Sequence, residues 1–509
     1  MATAGEPSAR PGEPSARPGE PSARPGTTGV DAPALRPGAI GLTDSIVMAV
    51  AGTAPAYSLT ATTAALVAAV GLGGPAALLY AAIPMFGITF AFMYLNRWRS
   101  DAGASYTWIG RSLNPSLGFM AGWALMVSNA LFMVSGSLPL GSTTLHLIAP
   151  RLENNVVAAT LTGMLWFVAV AVPLFFGIKS TAKAQKLMTG IEIVGLLVLA
   201  VGALLKFSHH PVVPFSWSWF SPHQFSSVST FMAGMLIAVF YYWGWDVSSN
   251  LAEETENPKS HPGMSGVYGM IGLVVLFLIL QSAIQMGMTS AQIAANPTTL
   301  LPVLGDMIFP RPFGTIAVIA VIVSSLATLE TGMLQSSRSL YAMGRDRVLG
   351  AAFAGLHPRF QTPWLASLVT GLIALGLFLL ASFSTNIGKL MSDLISAIGL
   401  QIVFYYALAG IACFWYYRKT HIQGAKNMVM QGLWPLVSAL FLLVVGYYNI
   451  IGLERRVTLL SAGTIAAGVL PLLYYRLRHR SAFYSDPREH AVAGDARIHL
   501  AAAPSGDAK

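Results

Sequence analysis

The sequence predicts an all-α integral membrane protein with twelve transmembrane helices, of which the first and sixth are broken halfway through. Three observations carry that reading. Hydrophobic residues make up 54% of the chain and charged residues only 10%, with a mean hydropathy of +0.61, whereas soluble proteins carry about 25% charged residues. Apolar runs of bilayer-spanning length recur twelve times, centred near residues 55, 86, 129, 166, 195, 236, 277, 325, 372, 402, 441 and 466. Two of those runs carry an interruption that an ordinary membrane helix avoids.

In chain order, residues 5–25 are three copies of GEPSARP, and a proline in each copy forbids a continuous helix. Residues 1–38 are therefore read as a disordered cytoplasmic tail. They hold no hydrophobic segment of the kind a secretory signal needs, so the first span is expected to insert as it stands. That span runs from Leu42 to about Val70, with Thr43 and Asp44 as helix-start residues. At its centre lies AGTAPAYSLT, where Pro55 removes a donor and should open the helix.

The sixth run reads FMAGMLIAVFYYWGWDVSSNLAEETENP, residues 231–258. Phe240, Tyr241, Tyr242, Trp243, Gly244, Trp245 and the ionisable Asp246 arrive together at mid-span. A carboxylate in hydrocarbon needs a cavity or a partner, and irregular backbone inside lipid survives only around such a site. Breaks in spans one and six are the sequence pointer to a five-plus-five inverted repeat. Its halves would cover residues 41–206 and 226–418, with two peripheral helices at 430–476. A second disordered cytoplasmic tail follows from 477, leaving 39–476 as the twelve-helix membrane domain.

Charge placement sets the expected orientation. With the N-terminus inside, the inner segments hold 24 of the 30 Lys and Arg residues and the outer loops 6, so both ends are expected in the cytoplasm of a multi-pass cell-membrane protein. The net charge of +9 is thereby topological and does not point to nucleic acid. Cys413 is the only cysteine, which rules out an intrachain disulfide or a cysteine-cluster metal site. His209, His210 and His223 are read as solvated loop residues. No phosphate-binding loop, nucleophile elbow or HExxH motif occurs. The expectation is a protein that is not an enzyme and uses no cofactor or metal.

The stretch RWRSDAGASYTWIGRSLNPSLGFMAGW, residues 97–123, resembles a signature of the amino acid–polyamine–organocation (APC) transporter superfamily, through Gly103, Tyr106, Gly118, Phe119, Gly122 and Trp123. The likeness continues at Gly244-Trp245-Asp246, Leu251-Ala252-Glu253-Glu254 and Asn257-Pro258. A third match is Ser337-Arg338 through Tyr341-Ala342-Met343-Gly344-Arg345-Asp346, followed by His357-Pro358-Arg359 and Pro363. This resemblance implies a LeuT-type fold with alternating access around the breaks in spans one and six. It implies a substrate site at Ala54, Pro55, Ala56, Tyr57 and Ser58 facing Phe240, Tyr241, Tyr242, Trp243 and Gly244. Phe240 takes the place of a gating aromatic, and Tyr241, Tyr242 and Trp243 offer backbone carbonyls to a substrate ammonium.

Two departures bear on the substrate. Amino acid members of the superfamily commonly have a Gly-Ser-Gly turn whose bare amides hold the substrate carboxylate; here Ala56, Tyr57 and Ser58 stand there. Glu192 stands where several members place a lysine. It shares a helix face with Gln185 and is expected to point inward, as a proton carrier, as an ionised partner of a bound cation, or as a structural carboxyl. Asp246 is expected to cap the second half-helix, with a coupling role as the alternative. Glu330 and Arg338 are expected to interact, and Glu253 and Glu254 to partner arginines. The function implied is a secondary active transporter of an amino acid or amine, driven by protons or counter-substrate. The rivals are a membrane-embedded sensor of the same ligand and a channel.

Overall fold

The computed structural model describes residues 34–452, 454–479 and 481–485. Among these residues every named element is a helix, and the sole β feature is an isolated bridge between Ile40 and Thr255. Ten helical runs are long and apolar enough to cross a membrane. That is two fewer than the twelve expected, and two elements depart from single uninterrupted spans. The run Leu42–Trp98 is near-continuous although it is long enough for two passages, and the sixth element has only 14 helical residues before it breaks.

The first run comprises α1 (Leu42–Thr53), α2 (Pro55–Val70) and α3 (Gly74–Trp98). A short α4 (Ser105–Ser112) leads to α5 (Pro115–Ile148), α6 (Val156–Ala171) and α7 (Ile178–His209). The broken element is α8 (Val228–Tyr241) with α9 (Val247–Asn250). It is followed by α10 (His261–Gly287), α11 (Ser290–Ala295), α12 (Leu300–Ile308), α13 (Thr315–Arg345), α14 (Trp364–Ala381) and α15 (Ile387–Tyr417). After the single turn α16 (Ala425–Asn427), a π-helical segment enters α17 (Trp434–Gly452), and α18 (Arg455–Ala467), α19 (Val469–Leu477) and α20 (Ala482–Ser485) complete the chain.

Helix starts follow local chemistry. Asn114, Asn155, Ser227 and Asn386 each accept a hydrogen bond from a backbone N–H of the first turn of α5, α6, α8 and α15, satisfying donors that helix starts leave unpaired. At α1 the Gly41 amide donates to Asp44, 3.2 Å away, in keeping with the helix-start role expected of Asp44. Pro84 and Pro139 lie inside α3 and α5, where neighbouring helices can re-satisfy what proline releases.

The broken elements form the centre. α1 packs on α10 and α13, α2 on α8, and α5 on α6, α13 and α15. The helices α5 and α6 approach so closely that a Cβ on Gly141 would lie 1.9 Å from the Ala159 carbonyl, the small-residue contact that membrane helices use. Large apolar side chains instead face outward on α6, α7, α14 and α17, as with Leu165, Leu205, Leu380 and Val437. Lipid rather than water suits such a surface.

The ordered body extends past both expected boundaries. Leu35, placed by sequence in the tail, is buried beside α13 and its neighbours, and Ala39 donates to the Glu254 carbonyl. At the other end Phe483 is fully buried, stacked on Tyr106 with ring centroids 5.1 Å apart and capped by Arg111 at 4.6 Å. Isolated hydrophobic residues in polar flanks found a crevice that no local pattern announces. The remaining tail residues, 1–33 and 486–509, lie outside the described residues.

Phe483→Ala should lower stability by about 3–5 kcal/mol, the usual loss for a fully buried aromatic. Chemical unfolding of the purified full chain in detergent measures it; an unchanged midpoint would mean that the C-terminal turn is not docked.

Candidate functional site

Pro55 can donate nothing to the Ala51 carbonyl, and Ala54 turns the chain with φ +50° and ψ +72°. The amides and carbonyls released by this break must find partners, because no water reaches them in lipid. The Ala56 N–H donates to Oε1 of Glu192, 2.9 Å away on α7. The Tyr57 N–H donates to the Ser324 hydroxyl on α13 at 3.0 Å, and that hydroxyl donates in turn to the same Glu192 oxygen at 2.5 Å. The Gly52 carbonyl accepts from Thr328 at 2.9 Å, and the Thr53 carbonyl from the Ser58 hydroxyl at 2.8 Å. Side chains of α7 and α13 thus replace the missing helical bonds.

The second break lies directly against the first. Gly244 has φ +108°, a conformation that favours glycine. A Cβ on Gly52 would sit 2.2 Å from the Gly244 carbonyl oxygen, and one on Gly244 would sit 2.2 Å from that of Gly52. The two half-helix junctions therefore meet backbone to backbone. The carbonyls of Tyr242 and Trp243 accept no backbone hydrogen bond among the described residues.

Beside this contact is a small cavity lined by Gly52, Asn129, Phe132, Trp243, Gly244, Val247, Thr328, Thr331, Gly332 and Gln335, with about 10 Å³ of room for the centre of a water molecule. That is one water's worth, so the site is shut around a space smaller than any organic substrate. Phe132 and Trp243 meet edge to face at 5.4 Å. The Trp243 indole donates to the Tyr405 hydroxyl at 2.6 Å, and that hydroxyl donates to Asp246 at 3.0 Å.

All the sequence-predicted site residues are buried: Ala54, Pro55, Ala56, Tyr57, Ser58, Phe240, Tyr241, Tyr242, Trp243, Gly244, Glu192 and Asp246. Only Trp243 and Gly244 line the cavity. Phe240 packs against Phe132 and Trp243. Tyr241 bonds to Thr63, and Tyr242 donates to the Leu78 carbonyl, so both rings point away from the cavity. Tyr57 lies edge-on to Phe132 at 5.4 Å.

Two expectations need correction. Asp246 makes no capping bond to α9; its carboxylate is drawn instead to the Tyr405 hydroxyl. Glu330 does not meet Arg338: it takes the Gln185 amide at 2.6 Å, while Arg338 forms a two-pronged pair with Glu254 at 2.9 and 3.0 Å. The amides of Ala56 and Tyr57 are not bare, and that of Ser58 donates to the Ala54 carbonyl at 2.8 Å. The expected arginine partnership of Glu253 and Glu254 is present, since Arg345 bridges Glu253 and Asp101. Burial alone would push the Asp101 carboxyl up, but the guanidiniums of Arg345 and Arg99 outweigh it and hold it below the usual carboxylate range.

Sequence reasoning missed Ser324, Thr328, Thr331 and Gln335. Their spacings of four, three and four place them on one face of α13, and that polar stripe on an otherwise apolar run was the available signal. Asn129 and Tyr405 carried no comparable signal, because nothing in the pattern of α5 or α15 says which helix either residue faces.

Comparison with known proteins adds a family. A family model described as amino acid permease matches residues 40–469. The chain is 24% identical over 371 residues to the low-affinity putrescine importer PlaP of Escherichia coli K12, covering 68% of this chain and 74% of that one. It is 27% identical over 283 residues to the branched-chain amino acid permease BcaP of Bacillus subtilis, covering 52% and 58%. With the serine/threonine exchanger SteT of the same organism it shares 22% over 388 residues, covering 75% and 83%.

Two outcomes follow from the geometry. Arg338→Met should cost about 3–5 kcal/mol because it strands the buried Glu254 charge, and adding Glu254→Leu should recover most of that; equal losses in single and double variants would disprove the pairing. Gly52→Ala should cost about 1–3 kcal/mol through overpacking, read by thermal unfolding, and no loss would mean that the two breaks do not touch.

Proposed function

This chain belongs to the amino acid permease family, and on that premise we propose that it is a secondary active transporter working by alternating access. Its cargo is an amino acid, a polyamine or a related organic cation, carried across the cytoplasmic membrane. The family is one of transporters and not of enzymes. The observation that carries the reading is the direct contact of two broken helices at Gly52 and Gly244 beside a small cavity lined by both polar and apolar residues. Broken helices whose ends face a central site are how secondary transporters hold cargo.

In this reading α1 and α2 form one crossing and α3 the next, and α8 with α9 forms the sixth. Twelve crossings result, ten of them in a five-plus-five inverted repeat. The excess of Lys and Arg in the segments assigned to the inner side puts both termini in the cytoplasm. The Arg338–Glu254 and Arg345–Asp101–Glu253 pairs then close the cytoplasmic end. Ala54, Pro55, Ala56, Tyr57, Ser58 and the stretch from Phe240 to Gly244 surround the cargo once the site opens, with Phe240 as the gating aromatic. Glu192 and Asp246 are the coupling carboxyls, buried and without an ion-pair partner among the described residues. Protons or counter-substrate supply the driving force.

The importer, permease and exchanger named above lend the sensor alternative no support. A channel would show a continuous polar lining, whereas here the polar groups gather around one closed point.

In liposomes holding the purified full chain, radiolabelled arginine, putrescine or neutral amino acids should accumulate or exchange, faster with an inward proton gradient. No uptake and no counterflow of any of them refutes transport. Glu192→Gln should flatten the pH profile of uptake while retaining exchange, and an unchanged profile removes Glu192 as the proton carrier.

A further inference from the structure

We infer that Glu192 is a built-in stand-in for a substrate carboxylate: the site takes organic amines that lack a carboxylate and refuses the corresponding amino acids. The inference rests on the transporter reading and narrows its substrate class.

The start of a half-helix inside a membrane is where an anionic group of a ligand would bind, because free amides and the helix dipole converge there. In this protein that place is already filled. Pro55 has no N–H, Ala56 gives its own to Glu192, Tyr57 to Ser324, and Ser58 to the Ala54 carbonyl. Four successive residues at the start of α2 leave no amide for a ligand. The anion on them is the protein's own carboxylate, fully buried and held from a different helix.

What remains around the breaks is an excess of acceptors. Oε2 of Glu192 and Oδ1 of Asp246 are buried without hydrogen-bond partners. The carbonyls of Tyr242 and Trp243 accept no backbone bond, and Pro55 leaves that of Ala51 without its helical donor. The side-chain donors that line the cavity are engaged: Thr328 on Gly52, Thr331 on Thr328, the Asn129 amide on Gln335, the Gln335 amide on Asn250, and the Trp243 indole on Tyr405, while the Trp245 indole, outside the lining, is buried without a partner.

Charge points the same way. Among the described residues, no Lys or Arg lies within ion-pair distance of Glu192, Asp246 or Glu330, and Arg338 is committed to Glu254. An ammonium entering such a place meets carbonyls and the aromatic faces of Phe132 and Trp243, with the Glu192 and Asp246 carboxyls beyond the cavity lining, all of which favour a cation. An amino acid would bring one more carboxylate with neither an amide nor a basic side chain to receive it, and an unpaired anion away from water is strongly disfavoured.

The test compares pairs that differ only by the carboxylate: lysine with cadaverine, ornithine with putrescine, arginine with agmatine. Each is measured by uptake and counterflow with the wild-type full chain in liposomes. The amine should be preferred about tenfold or more in every transported pair, and an amino acid carried within about threefold of its amine overturns the inference while leaving transport intact. A neutral amino acid carried as fast as the amines overturns it too. Absence of transport for every compound refutes both readings together. Glu192→Ala should bare the Ala56 amide and narrow the amine preference, whereas Glu192→Gln, which keeps an oxygen on that amide, should preserve it. A folded Glu192→Ala protein with unchanged preference overturns the stand-in role; should that variant not fold, the wild-type pairs decide.

Discussion

A single hydrogen-bond junction underlies the architecture: one carboxylate oxygen of Glu192 receives both the Ala56 amide and the Ser324 hydroxyl. Breaking a helix inside lipid releases donors and acceptors, each costing several kcal/mol if left unmet. Pro55 makes the break unavoidable. Glu192, Ser324 and Thr328 make it tolerable by bringing side chains from α7 and α13 to the places where helical partners would have been. Without them α1 and α2 would have no stable interruption. Without the interruption Gly52 could not present its backbone to Gly244.

Six of the acidic residues divide into two groups by what surrounds them. Asp101, Glu253 and Glu254 sit at one end of the bundle with Arg99, Arg338 and Arg345, where pairing offsets their desolvation. Glu192, Asp246 and Glu330 lie deep inside, held by neutral donors: an amide and a hydroxyl, a phenol, and a glutamine. A buried carboxyl without a cation is a poor contributor to stability. Two of them, Glu192 and Asp246, adjoin the helix breaks and fit a site that exchanges positive charge with its surroundings, as the proposed transport cycle requires.

The described state is closed. Its cavity holds about one water, and the backbones of Gly52 and Gly244 already touch, so any organic ligand requires these elements to separate. The contacts that would yield are few and mostly polar: Trp243 to Tyr405, Asn129 to Gln335, and Gln335 to Asn250. Because packed interfaces switch between discrete arrangements and do not stretch, such a closed network suits a protein with distinct open and shut states.

Much of the fold was legible in the sequence because lipid imposes a simple rule. A segment long and apolar enough to span must be a helix with its backbone satisfied internally, and exceptions such as Pro55 and Gly244 stand out against it. The composition and these two interruptions therefore determined a helical membrane protein whose helices break at Pro55 and near Gly244. Partner choice was not legible, because it depends on which helix face meets which across long stretches of chain. Only the tertiary structure decided that Glu330 meets Gln185 and not Arg338, that Asp246 faces Tyr405, and that Phe483 docks beneath Arg111. It alone showed that the Ala56 and Tyr57 amides are already occupied, since their partners lie 136 and 267 residues away and a local pattern records a break without naming what repairs it.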